Sequence, residues 1–465
     1  MESMFRREHD SLGGVDVPVD ALWGPQTERA RGNFRISGIT LSRFPHLITA
    51  LAMTKKAAAR ANARLGILSQ EKFAAICAAC DEIIAGGHRE AFPLDAIQGG
   101  AGTSVNMNAN EVIANLANER LGGARGANAP VHANDDVNRS QSTNDVYPTA
   151  VRLSLILAHG DLEAAVLELA DSLEDRAEAF AAVVKLGRTQ LQDAVPMTLG
   201  QEFSAFATVL REDVARLREM LPLLAEVNLG GTAIGTGLNA PKGYAEAAIA
   251  ELSEISGHKL SRAANLVEAS WDMGAFVLFS AMLKRLATKL SKIANDLRLL
   301  SSGPRGGLGE IRLPAAQPGS SIMPGKVNPV IPEVVNQVCF QVIGNDLAIT
   351  MASEAGQLQL NAMEPMITFN LHFSIQMLQA AIQVLDQHCV RGIEADPARC
   401  RAHLEASVGA VTALVPLIGY GPSAELAKDA LRLDRKVAEL AVERGLVTRE
   451  QAAEMLDPML LAFPG

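Results

Sequence analysis

Ser320, Ser321, Lys326 and Asn328 fall within nine residues of one stretch, GSSIMPGKVNP (319–329), where Gly319, Pro324, Gly325 and Pro329 constrain the backbone between them. Two small hydroxyls, one ammonium and one amide make a donor-rich set suited to an anion. Glycine permits close approach of a ligand, and proline blocks a simple helix or central strand. The stretch closes a long loop that begins near Gly303, and long ordered loops are usually functional. A surface linker is the plain alternative, but linkers rarely carry residues such as Ile322, Met323 and Val327 between their polar groups.

Three further polar breaks interrupt an otherwise apolar sequence, at 102–108, 140–145 and 187–193. They contribute Thr103, Ser104, Asn106, Ser142, Thr143, Asn144, Thr189 and Gln190. Several of these precede helical patterns, where orphan backbone N–H groups and the helix dipole favour negative charge. Taken singly, each is best read as an N-cap. Four breaks together, with Lys326 as the fixed cation, point instead to a small ligand with two carboxylates. The sequence has no dinucleotide-binding glycine fingerprint, P-loop, nucleophile elbow or zinc-ligand pattern. The glycine-rich stretch 230–237 has no strand before it and reads as a tight inter-helix turn.

The elements that must hold these breaks are helices. Apolar residues at three- and four-residue spacing predict helices over 46–66, 70–86, about 108–121, 148–185, 198–226, 265–300, 330–355 and 366–392. Within 265–300 one stripe is continuous: Phe276, Phe279, Leu283, Leu286, Leu290, Ile293, Leu297 and Leu300. Such lengths with short connections describe an elongated helical bundle. Apolar residues all round these helices imply burial by other subunits as well. Residues 1–45 read as irregular, with a short strand near 15–19 and a turn at 23–25. Beyond Asp396-Pro397 shorter helices follow, at about 397–407, 410–418, 424–430 and 434–444.

Composition agrees with a helical interior. The 465-residue chain is 48% hydrophobic but only 4% aromatic, so its core must be Ala, Leu, Val, Ile and Met. Its net charge of −10 argues against nucleic acid as a partner. It does not exclude an anionic small substrate, because a local site can oppose the global charge. Five cysteines make no disulfide framework, and Cys77 and Cys80, in an apolar helical run, read as buried thiols. The N-terminus has no apolar signal region and no run reaches membrane-spanning length, which predicts a soluble cytoplasmic protein.

GSSIMPGKVNP resembles the characteristic loop of the fumarase/aspartase superfamily. ALWGPQTERA, FPLDAIQGGAGTSVNMNANEV, HANDDVN, SQSTNDVYPTA, GRTQLQDAVPMTLGQEF, GTAIGTGLN, SSGPRGGLGEI and QVIGND resemble its other blocks, across essentially the whole chain. The resemblance implies an all-α, three-domain subunit with a central long-helix bundle, assembled into a homotetramer whose active sites draw loops from three subunits. The corresponding division here is 1–140, 141–396 and 397–465. GTSVNMN, QLQLNAMEP and VVNQVCFQVIGND are closer to the aspartase branch than to the fumarase branch.

Gln190 separates the branches further. Fumarases carry a histidine at this place in the block, paired with a glutamate that corresponds to Glu333, to handle water and its proton. Glutamine can hydrogen-bond but cannot serve as general acid or base. Ammonia leaves from an already protonated amine and needs no proton donor, so Gln190 fits deamination of L-aspartate to fumarate better than dehydration of malate. Some aspartases also have histidine here, so glutamine disfavours a fumarase whereas histidine would not exclude an aspartase.

By resemblance, Ser320 is the base that removes the Cβ proton, held as alkoxide by backbone N–H groups and Lys326. Thr103, Ser142, Thr143 and Thr189 face the carboxylate that takes up the carbanion charge. Lys326 and Asn328 hold the other carboxylate, and Asn144 and Gln190 contact the amino group. Ser104 and Ser321 complete the binding set. His132, Asn134 and Asp135 correspond to a second dicarboxylate site, with helix capping as the alternative role. The loop 317–328 is expected to order over substrate, with Gly319 and Gly325 as hinges. No organic cofactor and no metal cage are expected, which leaves a divalent metal only an activating role. The rival readings are a fumarate hydratase, a lyase of larger fumarate adducts, and an inactive helical scaffold.

Overall fold

The computed structural model describes residues 4–463; the outermost residues of the expected first and last domains, 1–3 and 464–465, lie outside them. The chain is mainly helical, with four two-stranded pairings among the described residues. It divides into two compact units. One comprises Met1–Leu162, Ala215–Arg285 and Gln341–Met377; the other comprises Glu163–Val214, Leu286–Phe340 and Leu378–Gly465.

In the first unit, helices Pro45–Arg64, Gln70–Ile84, Thr103–Arg120 and Tyr244–Ser256 pack together. Alanine at closely packed positions lets these helices approach, and Ala50, Ala57, Ala58 and Ala61 are fully buried. An antiparallel hairpin, Phe5–Asp10 with Gly13–Pro18, and the helix Pro25–Asn33 occupy the N-terminal stretch that reads as irregular. The strand near Val15 is therefore real, and its partner is the charged segment FRREHD, where alternation is too weak to mark a strand.

In the second unit, the 187–193 break is not a gap between helices. It is the tip of a hairpin, Val184–Thr189 with Gln192–Thr198. The helix expected to reach Lys185 stops at Ala179, because Val184, Lys185 and Leu186 form a short buried strand that periodicity cannot tell from a helical turn. The next helix runs over Leu199–Arg218 and is followed by a single turn at Leu221–Leu224. The stripe on Gly274–Leu300 is as expected, with every one of its eight apolar residues buried. The helix begins at Gly274 rather than near Asn265, after a short 3-10 turn at Glu268–Ser270. The C-terminal part adds Arg449–Met455 and Pro458–Ala462 to the expected helices, around a core of Leu414, Leu426, Val437, Leu440 and Ala441.

Two helices start earlier than expected, and both starts shape the candidate site. Thr103–Arg120 begins five residues before Asn108, and Thr143–Ala179 five before Pro148. Pro148 lies inside the latter helix, where it supplies no N–H for the Asn144 carbonyl. The Asn228 amide donates to that carbonyl instead, at 2.9 Å. A side chain 84 residues away thus repairs the defect that makes proline look like a helix start.

Candidate functional site

In the first unit the breaks at 102–108 and 140–145 come together. Gly102 has φ +85°, and a Cβ there would run into the ring of buried Tyr147. Only glycine lets the start of Thr103–Arg120 lie against the start of Thr143–Ala179. The Asn106 amide then donates to Thr143 Oγ1 at 3.1 Å and to Asn138 Oδ1 at 3.2 Å. Thr103 Oγ1 donates to the Gly100 carbonyl at 2.7 Å, and the Ser142 hydroxyl accepts the Asn144 N–H at 3.3 Å. Asn144 donates its amide to the Ala233 carbonyl at 2.8 Å, so the glycine-rich turn at 230–237 is part of the same wall. Thr103 is exposed, while Ser104, Ser142, Thr143 and Asn144 are half-buried.

Two charged residues behind this wall were not singled out from the sequence. Lys55 is fully buried and donates to Asn138 Oδ1 at 3.0 Å and Gln141 Oε1 at 2.9 Å. Burial pulls its pKa down to about 7, against the opposing charge of Asp145. Asp145, also buried, accepts the N–H groups of Ser142, Gly230 and Thr232. Burial raises its carboxyl to about 6, and those three donors and Lys55 oppose the rise. A signal for Lys55 existed: it stands four residues from Leu51 and from Ala59, on the buried stripe of its helix.

His132 and Asn134 line a cavity of about 290 Å³, while Asp135 does not and is 78% exposed. The cavity is also bounded by Glu8, Asp10 and Glu111. Glu8 pairs with Arg6 and Asp10 with Arg29, both at 2.6 Å. Glu111 accepts the backbone N–H groups of Gly24, Gln26 and Thr27 and the Thr27 hydroxyl. The His132 ring accepts the Asp135 N–H at 3.1 Å, the capping role weighed for it, on the π-helical turn Ala133–Val137.

In the second unit Thr189 ends one strand of the hairpin, and Gln190 and Leu191 form its two-residue turn. Both turn residues have positive φ, at +54° and +60°, as a tight hairpin turn with matched twist requires. The turn lifts Thr189 and Gln190 into the open. Residues 319–328 form a second projecting feature, closed by the Gly319 N–H on the Lys326 carbonyl at 2.9 Å and the Asn328 amide on the Gly319 carbonyl at 3.1 Å. A Cβ on Gly319 would collide with the Lys326 carbonyl, so the ring admits only glycine there. Ser320 Oγ accepts the Ile322 N–H at 3.3 Å. Ser321 and Lys326 are exposed, and Ile322 is 83% exposed. Among the described residues, the side chains of Thr189, Gln190, Ser321 and Lys326 have no hydrogen-bond or ion-pair partner within the chain. Glu333 lies in the first turn of Val330–Glu354.

All five cysteines are buried free thiols, as read for Cys77 and Cys80. No cluster of three His, Cys, Asp or Glu able to hold a metal occurs among the described residues, and none of their helices is long and apolar enough to cross a membrane.

Comparison with known proteins sets this long-helix scaffold and its Ser–Lys–Asn loop among lyases of fumarase-like architecture. A family described as "Lyase" matches residues 13–344, and one described as "Fumarase C C-terminus" matches 411–462. A Pseudomonas canavaninivorans protein named aspartate ammonia-lyase is 58% identical over 99% of this chain and 97% of its own. A Brucella melitensis fumarate lyase:delta crystallin, solved bound to cobalt, superposes with a TM-score of 0.96 at 61% identity, covering 99% of this chain and all of that one. A class II fumarase from Schistosoma mansoni superposes at 0.94 with 37% identity, over 99% of both chains. The chain belongs to the fumarase/aspartase superfamily, within its aspartase branch.

Proposed function

We propose that this protein is a carbon–nitrogen lyase that interconverts L-aspartate with fumarate and ammonia. The observation that carries the reading is Gln190, a residue without proton-transfer chemistry, on the hairpin tip of a chain 58% identical to an aspartate ammonia-lyase. Identity to the fumarase, at 37%, is lower along the same length.

In this reading Ser320, as alkoxide, takes the Cβ proton, and the electron pair passes into the adjacent carboxylate. Hydroxyl donors from Thr103, Ser142, Thr143 and Thr189 stabilise that developing charge more than they stabilise the ground state. The Cα–N bond then breaks with its pair going to nitrogen, and ammonia leaves. Lys326 and Asn328 hold the second carboxylate, with Ser104 and Ser321 at the margins. Asn144 and Gln190 orient the amine. The Ile322 N–H on Ser320 Oγ supports the alkoxide assignment, since such a donor favours the anion. Proton removal by the protein and departure of a pre-protonated amine leave no step for an organic cofactor, and a divalent metal would act only as an activator.

The reading also includes a homotetramer in the cytoplasm, with each site built from three copies. Phe340, Leu347 and Met351 lie on one face of Val330–Glu354 and are 62%, 64% and 64% exposed, which favours a further copy as cover. Buried free thiols suit a reducing compartment. The three-domain division 1–140, 141–396 and 397–465, and a second dicarboxylate site at His132, Asn134 and Asp135, stay within this proposal. The test is ultraviolet detection of fumarate from L-aspartate, with L-malate run in parallel. Fumarate from aspartate alone supports the reading, and fumarate from malate alone overturns it.

A further inference from the structure

The second unit contains a buried ionic cluster that the reaction as described does not use. Glu310 is fully buried at its centre. Its Oε1 accepts Arg188 Nη1 at 2.8 Å and His403 Nδ1 at 2.9 Å, and its Oε2 meets Lys185 Nζ at 3.0 Å. Lys185 also bonds Glu202 at 2.5 Å. A carboxylate oxygen accepts only, so the 2.9 Å contact with Glu310 requires a proton on His403 Nδ1, while Arg188 Nη2 lies 3.3 Å from the same nitrogen. Burial would raise the Glu310 carboxyl, but Arg188, Lys185 and His403 outweigh it and hold the group below its usual range.

Glu310 and the three residues that bond it come from three segments. Lys185 and Arg188 belong to the strand that ends in Thr189, His403 to the helix Pro397–Ala406, and Glu310 to the loop that continues to Ser320. Residues 185 and 188 would face opposite sides of a regular strand. The register shifts between Leu186 and Arg188, and this irregularity turns both side chains onto one carboxylate. The Glu310 main chain is fixed as well: its N–H donates to the Leu300 carbonyl and its carbonyl accepts the Asp396 N–H, both at 2.9 Å.

We propose that Glu310 is a positioning residue: through Arg188 it sets the orientation of the Thr189–Gln190 turn, and it ties that turn to the base of the Ser320 loop. The proposal rests on the reading that Thr189 and Gln190 contact substrate. Glu310→Gln keeps the shape and removes the charge that holds Arg188 and Lys185. Kinetics on L-aspartate should show kcat/KM lowered about 10- to 100-fold, mainly in kcat, the size expected of a displaced orienting group. Hydrogen exchange at the amides of 188–193 should quicken in the same variant.

Asp213→Asn serves as the control. Asp213 is a buried carboxylate of the same unit, bonded to Lys289 at 2.6 Å and outside the cluster. It should lower the melting temperature while leaving kcat/KM within about two-fold, a small effect for a change remote from the site. If Glu310→Gln does not fold, Arg188→Lys, which keeps the charge but loses the planar fork, carries the same expectation. Unchanged kcat/KM and unchanged exchange at the hairpin in a folded Glu310 variant would overturn the proposal. A wild-type enzyme inactive on aspartate would instead remove the functional reading on which it rests.

Discussion

Replacing Gly319 by alanine tests whether the ring closed by residues 319–328 is the working form of the loop. The added methyl collides with the Lys326 carbonyl, the acceptor of the Gly319 N–H. Relieving that collision separates the two strands of the ring and breaks two hydrogen bonds, Gly319 N–H to Lys326 and Asn328 amide to Gly319. At about 1 kcal/mol each the loss is about 2 kcal/mol, or about 30-fold in the population of the closed ring. Gly325 provides the comparison. A Cβ there meets nothing within 4 Å, but its φ is +81°. Alanine at 325 therefore bears only the left-handed backbone cost, about 1 kcal/mol, or about five-fold. Initial rates of fumarate formation from L-aspartate should show kcat/KM lower in Gly319→Ala than in Gly325→Ala by about these ratios. Melting temperatures should change little, because the loop buries almost no apolar surface. Equal effects of the two substitutions, or none at Gly319, would refute the reasoning that ring closure positions Ser320, Lys326 and Asn328.

Ser320→Ala should abolish turnover while circular dichroism and molecular mass in solution stay unchanged; near-normal rates would remove Ser320 from the mechanism. Lys55→Met should destabilise the fold by about 3 kcal/mol in denaturant melts, because it strands Gln141 Oε1 and leaves the Asp145 charge without its cation. His372 is buried, hydrogen-bonded to Ser154 at 2.7 Å, and burial lowers its pKa to about 3. Between pH 6.5 and 3 the unfolded chain binds a proton at this histidine that the folded chain does not, so stability falls as pH falls across that window. The stability lead of wild type over His372→Gln should therefore shrink on acidification; a constant lead would show that His372 does not titrate on unfolding.

Much of the helical scaffold was legible because it rests on local periodicity. The stripe from Phe276 to Leu300 is buried residue for residue, and the four polar breaks all sit where chain direction changes or a helix begins. The misreadings have separate physical causes. Thr103–Asn106 read as loop because polar residues in a first helical turn lack an apolar stripe, and Pro148 read as a helix start because its remedy, Asn228, is remote in sequence. The hairpin at 184–198 was missed because Gln190-Leu191 carries none of the glycine or asparagine that usually marks such a turn.

Chemistry tied to residue type was set by the sequence alone: a donor-rich Ser–Ser–Lys–Asn loop, a glutamine where a proton-transfer group would be needed for dehydration, and a core of small aliphatic residues. Only the tertiary structure decided which of these residues meet. It placed Asn106 on Thr143, buried Lys55 and Asp145 behind the Ser142–Asn144 wall, and gathered Lys185, Arg188 and His403 on Glu310. Those pairings depend on desolvation and on contacts between residues as remote in sequence as Lys185 and Glu310. Apart from Lys55, which stands on a buried helical stripe, they leave no periodic trace, because a charge buried against a distant partner reads in sequence as any other charge.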